Sequence, residues 1–114
     1  MARISPEIQA IIWELTQRLL EIVDEAKAAE YNLLERFGET DRTIVALEQL
    51  TEITAQATAR FSQLSTLLIR VAESQPVANQ DLLRLLDERI DTIANRIPAL
   101  ARSIEEIKID WNLL

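Results

Sequence analysis

Carboxylates are the only side chains in this sequence with the numbers and spacing to do chemistry. Glu21, Asp24 and Glu25 gather in one stretch, Glu48 and Glu52 lie one helical turn apart, and Asp87, Glu88 and Asp91 form a third group. Magnesium takes several hard oxygen ligands in near-octahedral geometry, so two Glu-x-x-Glu/Asp pairs facing each other across helices could hold it. A magnesium ion held in that way would serve hydrolysis of a nucleotide phosphoanhydride. Glu21-Ile-Val-Asp24 has the spacing. On a helix, though, Ile22 marks the apolar side of this stretch and Asp24 falls well away from it. Asp87 and Asp91 flank Leu86 and Ile90 at the edge of another apolar stripe, and no acid lies within any stripe. The ordinary reading of these acids is a set of solvated helix faces, laced by i,i+4 pairs such as Glu14–Arg18.

Other chemistries lose their reagents. There is no cysteine and no histidine, which removes disulfides, thiol nucleophiles, zinc sites of the usual kind and imidazole acid–base work. No cofactor and no metal is expected, and no catalytic residue is assigned. Arg84, Arg89, Arg96 and Arg102 share the last third of the chain, but they are interleaved with acids and lack an aromatic platform. Acid exceeds base in every third of the sequence, 7 to 4, 5 to 3 and 7 to 5, for a net charge of −7. That leaves no electrostatic footprint for a phosphate backbone, so no nucleic-acid partner is expected. The longest uncharged run is nine residues, too short to span a bilayer. No integral membrane association is therefore expected, and the default location is cytoplasmic.

The elements that carry these residues are read from punctuation and period. With a single glycine and three prolines in 114 residues, tight turns are scarce and the elements must be few and long. Leu, Ile, Ala, Glu, Arg and Gln dominate, and they are helix formers. Ser5-Pro6-Glu7 reads as N-cap, first helical proline and first-turn acid. Gly38 supplies a left-handed stop. Thr40 or Asp41 starts a second helix, Pro76 prevents its continuation, and Asn79 starts a third. The expected helices cover about 6–37, 41–73 and 80–112, within one helical bundle domain over 1–114.

Apolar spacing in alternating steps of four and three supports all three. The first stripe runs Ile8, Ile12, Leu15, Leu19, Ile22, Ala26, Ala29, Leu33. The second runs Leu47, Leu50, Thr54, Ala57, Phe61, Leu64, Leu68, Val71. The third runs Leu83, Leu86, Ile90, Ile93, Ile97, Leu100, Ile104, Ile107, Trp111, Leu114. Such seams let helices lie side by side at shallow angles. Short connections then imply an all-α, antiparallel up-down-up, coiled-coil-like bundle of three long helices, with a kink near Pro98 in the third.

More apolar side chains are present than three seams consume. Trp13, Leu20 and Leu34 share one heptad position outside the first seam, spaced by seven and fourteen. A contiguous outer stripe of this kind marks an interface more often than a bare surface. The expected interface residues are Trp13, Leu20 and Leu34, with Trp111, Leu113 and Leu114 at the unusually apolar C-terminus. Small residues between Thr51 and Thr66 could also leave a groove for a partner helix. The functional expectation is a small non-enzymatic adaptor or scaffold that forms a homodimer and binds another protein through helical surfaces. The alternatives are an all-α magnesium-dependent nucleotide hydrolase and a peripheral binder of lipid or granule surfaces.

Overall fold

The computed structural model describes residues 4–113, and within them the chain forms three helices: α1 Pro6–Phe37, α2 Asp41–Glu73 and α3 Gln80–Asp110. Their ends follow from local hydrogen bonding. The Ser5 hydroxyl accepts the Ile8 amide at 3.2 Å, and Pro6 occupies the first turn, where its missing N–H costs nothing. Thr40 and Thr43 cap α2 reciprocally. The Thr43 amide donates to Thr40 Oγ1, the Thr40 amide donates to Thr43 Oγ1, and the Thr43 hydroxyl also reaches the Gly38 carbonyl. This is a capping box with threonine in the place usually held by Glu or Gln. Asn79 Oδ1 accepts the Asp81 amide at 2.7 Å and the Leu82 amide at 3.4 Å to start α3. The third helix ends at Asp110, two residues before the expected limit. There Trp111 takes a non-helical conformation and Asn112 a positive φ of 54°.

The three helices pack on one another in all three pairings, with α1 and α2 sharing the most extensive close approach. They enclose one continuous apolar core. From α1 it takes Ile12, Leu15, Leu19, Ile22, Ala26, Ala29 and Leu33. From α3 it takes Leu86, Ile90, Ile93, Ile97, Leu100, Ile104 and Ile107. These are the expected stripes, with Ile8, Leu83 and Trp111 half-buried at the ends. Pro98 lies inside α3 and its ring faces outward, while Ile97 and Leu100 on either side are buried.

The second stripe needs correction. Its buried residues are Thr43, Ala46, Leu50, Ile53, Ala57, Leu64, Leu67 and Val71. Leu50, Ala57, Leu64 and Val71 are shared with the expected seam. The alternate positions are Ala46, Ile53 and Leu67, not Leu47, Thr54 and Leu68, which are half-buried at the rim together with Phe61. Helix α2 contacts two neighbours and needs an apolar arc wider than a strict two-in-seven seam. Both alternate rows therefore pack, the narrower Ala46–Ile53–Leu67 row more deeply.

The molecule measures 56 × 20 × 17 Å, with a radius of gyration of 17.3 Å against about 13 Å for a compact chain of this size. It is a slender rod. The turn from α1 to α2 is made by Gly38 at φ 69°, ψ −171°, a region essentially open to glycine alone. A Cβ placed there would meet nothing within 4 Å, so any cost of substitution is conformational. Gly38→Ala should lower unfolding free energy by about 1–3 kcal/mol, read by urea or thermal unfolding. Gly38→Asn should do no better, because asparagine tolerates the left-handed helical region and not this extended one. A neutral Asn variant would show that the turn relaxes to an ordinary left-handed cap.

Candidate interaction surfaces

The two largest exposed apolar side chains of the described residues, Trp13 and Tyr31, lie on the outer face of α1 with Leu20 and Leu34. Trp13 is 66% exposed, Leu20 54%, Tyr31 65% and Leu34 42%. All four lie on the side of α1 away from its core stripe, because steps of seven and eighteen residues return nearly to the same face of a helix. Tyr31 was not among the expected interface residues. Its signal was available: it lies eighteen residues, five full turns, from Trp13. The Tyr31 hydroxyl donates to Glu35 at 2.9 Å, and Lys27 holds Glu30 at 3.4 Å on the same helix.

The C-terminal candidates are placed differently. Trp111 and Leu113 are half-buried against their own core, and Leu114 lies outside the described residues. The Trp111 ring meets Phe37 edge-to-face, with centroids 5.2 Å apart and planes at 61°. The Arg42 guanidinium sits 5.9 Å over the same ring, within cation–π range. One strand of this cluster is polar: Arg36 donates to the Asn112 carbonyl at 2.9 Å. The end of α1, the start of α2 and the end of α3 are thus tied at one tip of the rod. Trp13 sits about two turns into α1, toward the tip where Ile4, Ser5 and Ile8 lie beside Leu83 and Leu86.

Between α2 and α3 runs an open groove of about 500 Å³. Ile53, Leu100 and Ile107 form its floor, and Glu48, Glu52, Glu106 and Asp110 stand on its rims. Arg96 crosses it, donating through Nε and Nη2 to Gln56 Oε1 at 3.1 and 2.8 Å. The Thr51–Thr66 stretch contributes to three surface hollows rather than to one groove of its own. Glu52, Ile53 and Gln56 line the α2–α3 groove, Thr51 lines a second hollow with Ile44 and Leu47, and Ser62, Gln63 and Thr66 line a third with Leu85 and Arg89. Ala57, at the centre of the stretch, is fully buried in the helix contact.

The acids considered for metal binding stay apart. Glu21, Asp24, Glu48, Glu52, Asp87, Glu88 and Asp91 are exposed, and among the described residues no three acids gather closely enough to hold a metal ion. Local pairs engage several charges: Arg18 with Glu21, and Arg84 with Asp81 at 3.6 Å. Among the described residues no helix is long and apolar enough to cross a membrane.

No protein-family model, no curated protein and no solved structure matches this chain. The functional reading therefore rests on surface chemistry alone.

The aromatic cluster at the rod's tip has a measurable signature. In a double-mutant cycle, Phe37→Ala and Trp111→Ala should be non-additive in unfolding free energy, with a coupling of about 0.5–1.5 kcal/mol. Additive losses would mean that the two rings are neighbours without mutual stabilisation.

Proposed function

We propose that this chain is a non-enzymatic helical scaffold of the cytoplasm that self-associates as a homodimer and presents its remaining helical surfaces to another protein. One observation carries this reading. Trp13, Leu20, Tyr31 and Leu34 line the outside of α1 with 42–66% of each side chain in water, and the core makes no use of them. Scattered surface leucines are ordinary. A row of four large side chains with two aromatics on one helix face is the composition of an interface core.

The surface area points the same way. A compact monomer of 13.0 kDa exposes roughly 6,300 Å², and this chain exposes 7229 Å². The difference is on the order of the ~800 Å² that each partner loses in a standard interface. A rod has this excess because three helices provide only a thin cross-section, and lateral pairing of two rods is the direct way to remove it.

The contacts at the two tips support an up-down-up bundle. Phe37 touches Trp111, and Ile4 and Ile8 lie beside Leu83 and Leu86, as expected if α1 and α3 run the same way with α2 opposed. Pro98 deprives α3 of one backbone hydrogen bond, which favours a bend there toward the core. In this arrangement the groove between α2 and α3 stays open on the flank not occupied by a second α1. That groove is the surface we assign to the other protein.

Light scattering at micromolar concentration tests the reading. The full chain should have twice the mass of one protomer. Leu20→Asp should be monomeric with unchanged helix content, because the residue lies outside the core. A monomeric parent chain would remove the scaffold proposal. Loss of helicity in Leu20→Asp would show that the outer face belongs to the fold.

A further inference from the structure

The polar residues of the outer α1 face have an order that specifies how a second copy must lie. The face reads Trp13, Gln17, Leu20, Asp24, Lys27, Tyr31, Leu34, in unbroken steps of four and three. Every one of these residues is exposed. It is a second heptad seam on the back of a helix whose first seam is buried. Apolar residues occupy its two ends, and its centre holds one acid and one base. We propose that the partner is a second copy of this chain, docked α1 against α1 in antiparallel fashion, in the register that sets Asp24 of each copy opposite the partner's Lys27. This rests on the self-association argued above and goes further, to orientation and register.

Charge decides the orientation. In a parallel, in-register pair Lys27 would meet the partner's Lys27 and Asp24 the partner's Asp24, placing like charges at the middle of the seam. Antiparallel pairing about the midpoint between residues 24 and 27 turns both contacts into opposite-charge pairs. Polar residues at single seam positions set register and strand orientation in helical pairs in this way.

The apolar residues agree with the same register. About that midpoint Leu20 lies level with the partner's Tyr31, and this contact occurs twice by symmetry. Leu34 lies level with the partner's Gln17. Trp13 reaches the level of the partner's Gly38, where the backbone has no side chain and a Cβ would find open space. Sliding one copy by seven residues either way sets Asp24 against a leucine, the partner's Leu20 or Leu34, and so buries a charge without its counterion. The paired segment, from Trp13 to the partner-facing turn at Gly38, is about 38 Å long at 1.5 Å per residue. Asp24 has no ion-pair partner among the described residues, and Lys27 is held only by the exposed contact to Glu30. Both charges are therefore available to the partner.

Sedimentation equilibrium on four chains tests this: the parent, Lys27→Glu, Asp24→Lys, and the double variant with both changes. Both positions of substitution are in water, so circular dichroism should report the same helix content throughout. Each single change replaces two attractive contacts with two repulsive ones, and the dimer dissociation constant should rise by about tenfold or more. The double variant restores both pairs with reversed sign and should return to within about threefold of the parent. A dimer indifferent to the single changes, or a double variant as weak as the singles, would overturn this register while leaving self-association intact. A parent chain that sediments as a monomer would overturn the self-association reading itself.

Discussion

Three rods of 31 to 33 residues can bury their apolar stripes only by lying alongside one another over their whole length. That constraint follows from the near absence of turn-forming residues: a chain with one glycine cannot fold back often enough to build a rounder core. Everything else in the molecule is conditioned by it. The core becomes a column of Leu, Ile and Ala side chains about one residue wide from each helix. Buried alanines, Ala26 and Ala29 on α1 with Ala46 and Ala57 on α2, leave little side-chain bulk in the way of the α1–α2 approach. The same geometry leaves more than half the circumference of each helix outside the core, so what those outer faces carry decides what the protein can touch.

The legibility of the sequence varied with how unequal the competing faces were. In α3 every seam position from Leu86 to Ile107 is Leu or Ile, and nearly all the residues beside them are charged or small, so only one face could be inside. In α2 two neighbouring rows competed. Leu47, Phe61 and Leu68 are larger than Ala46 and outweigh it in any hydrophobic count, yet the helix turned the Ala46–Ile53–Leu67 row inward. Size on a sequence is not depth in a bundle. A small residue is what lets a helix approach closely, and large residues at the edge of the contact still cover the core while half in water. The threonine capping box escaped for a related reason: Thr43 at the third position does the work of a glutamate by bonding the Thr40 amide through a shorter side chain.

The outer face was legible in part. A period of seven exposes Trp13, Leu20 and Leu34, but Tyr31 belongs to the alternate row of the same seam and is found only by allowing steps of four and three. At the C-terminus the third seam carries Trp111 inward, while apolar character alone also makes it an interface candidate. Trp111 and Leu113 look like a sticky tail, whereas the ring of Trp111 is engaged by Phe37 and Arg42 and the Asn112 carbonyl by Arg36. Those partners come from residues some seventy positions away in the chain, and no local pattern announces them. Two tryptophans of similar sequence context thus have opposite roles: one locks the tip of the rod and the other is left in water.

Helix α1 consequently carries two seams on opposite sides, with different chemistry in each. The inner seam is wholly apolar, which stabilises strongly but discriminates poorly between partners and registers. The outer seam gives up apolar area at its centre for Asp24 and Lys27. An isolated exposed ion pair contributes little to stability, so in the proposed α1–α1 dimer the benefit of that exchange lies in discrimination: a charged centre penalises misaligned and parallel pairings more than it rewards the correct one. A helix that folds through one face and recognises through the other can change either property without disturbing the other, provided its residues stay on their own side. The separation holds here because the heptad rows of the two seams share no residue, and the proposal that the back of α1 is a recognition surface depends on it.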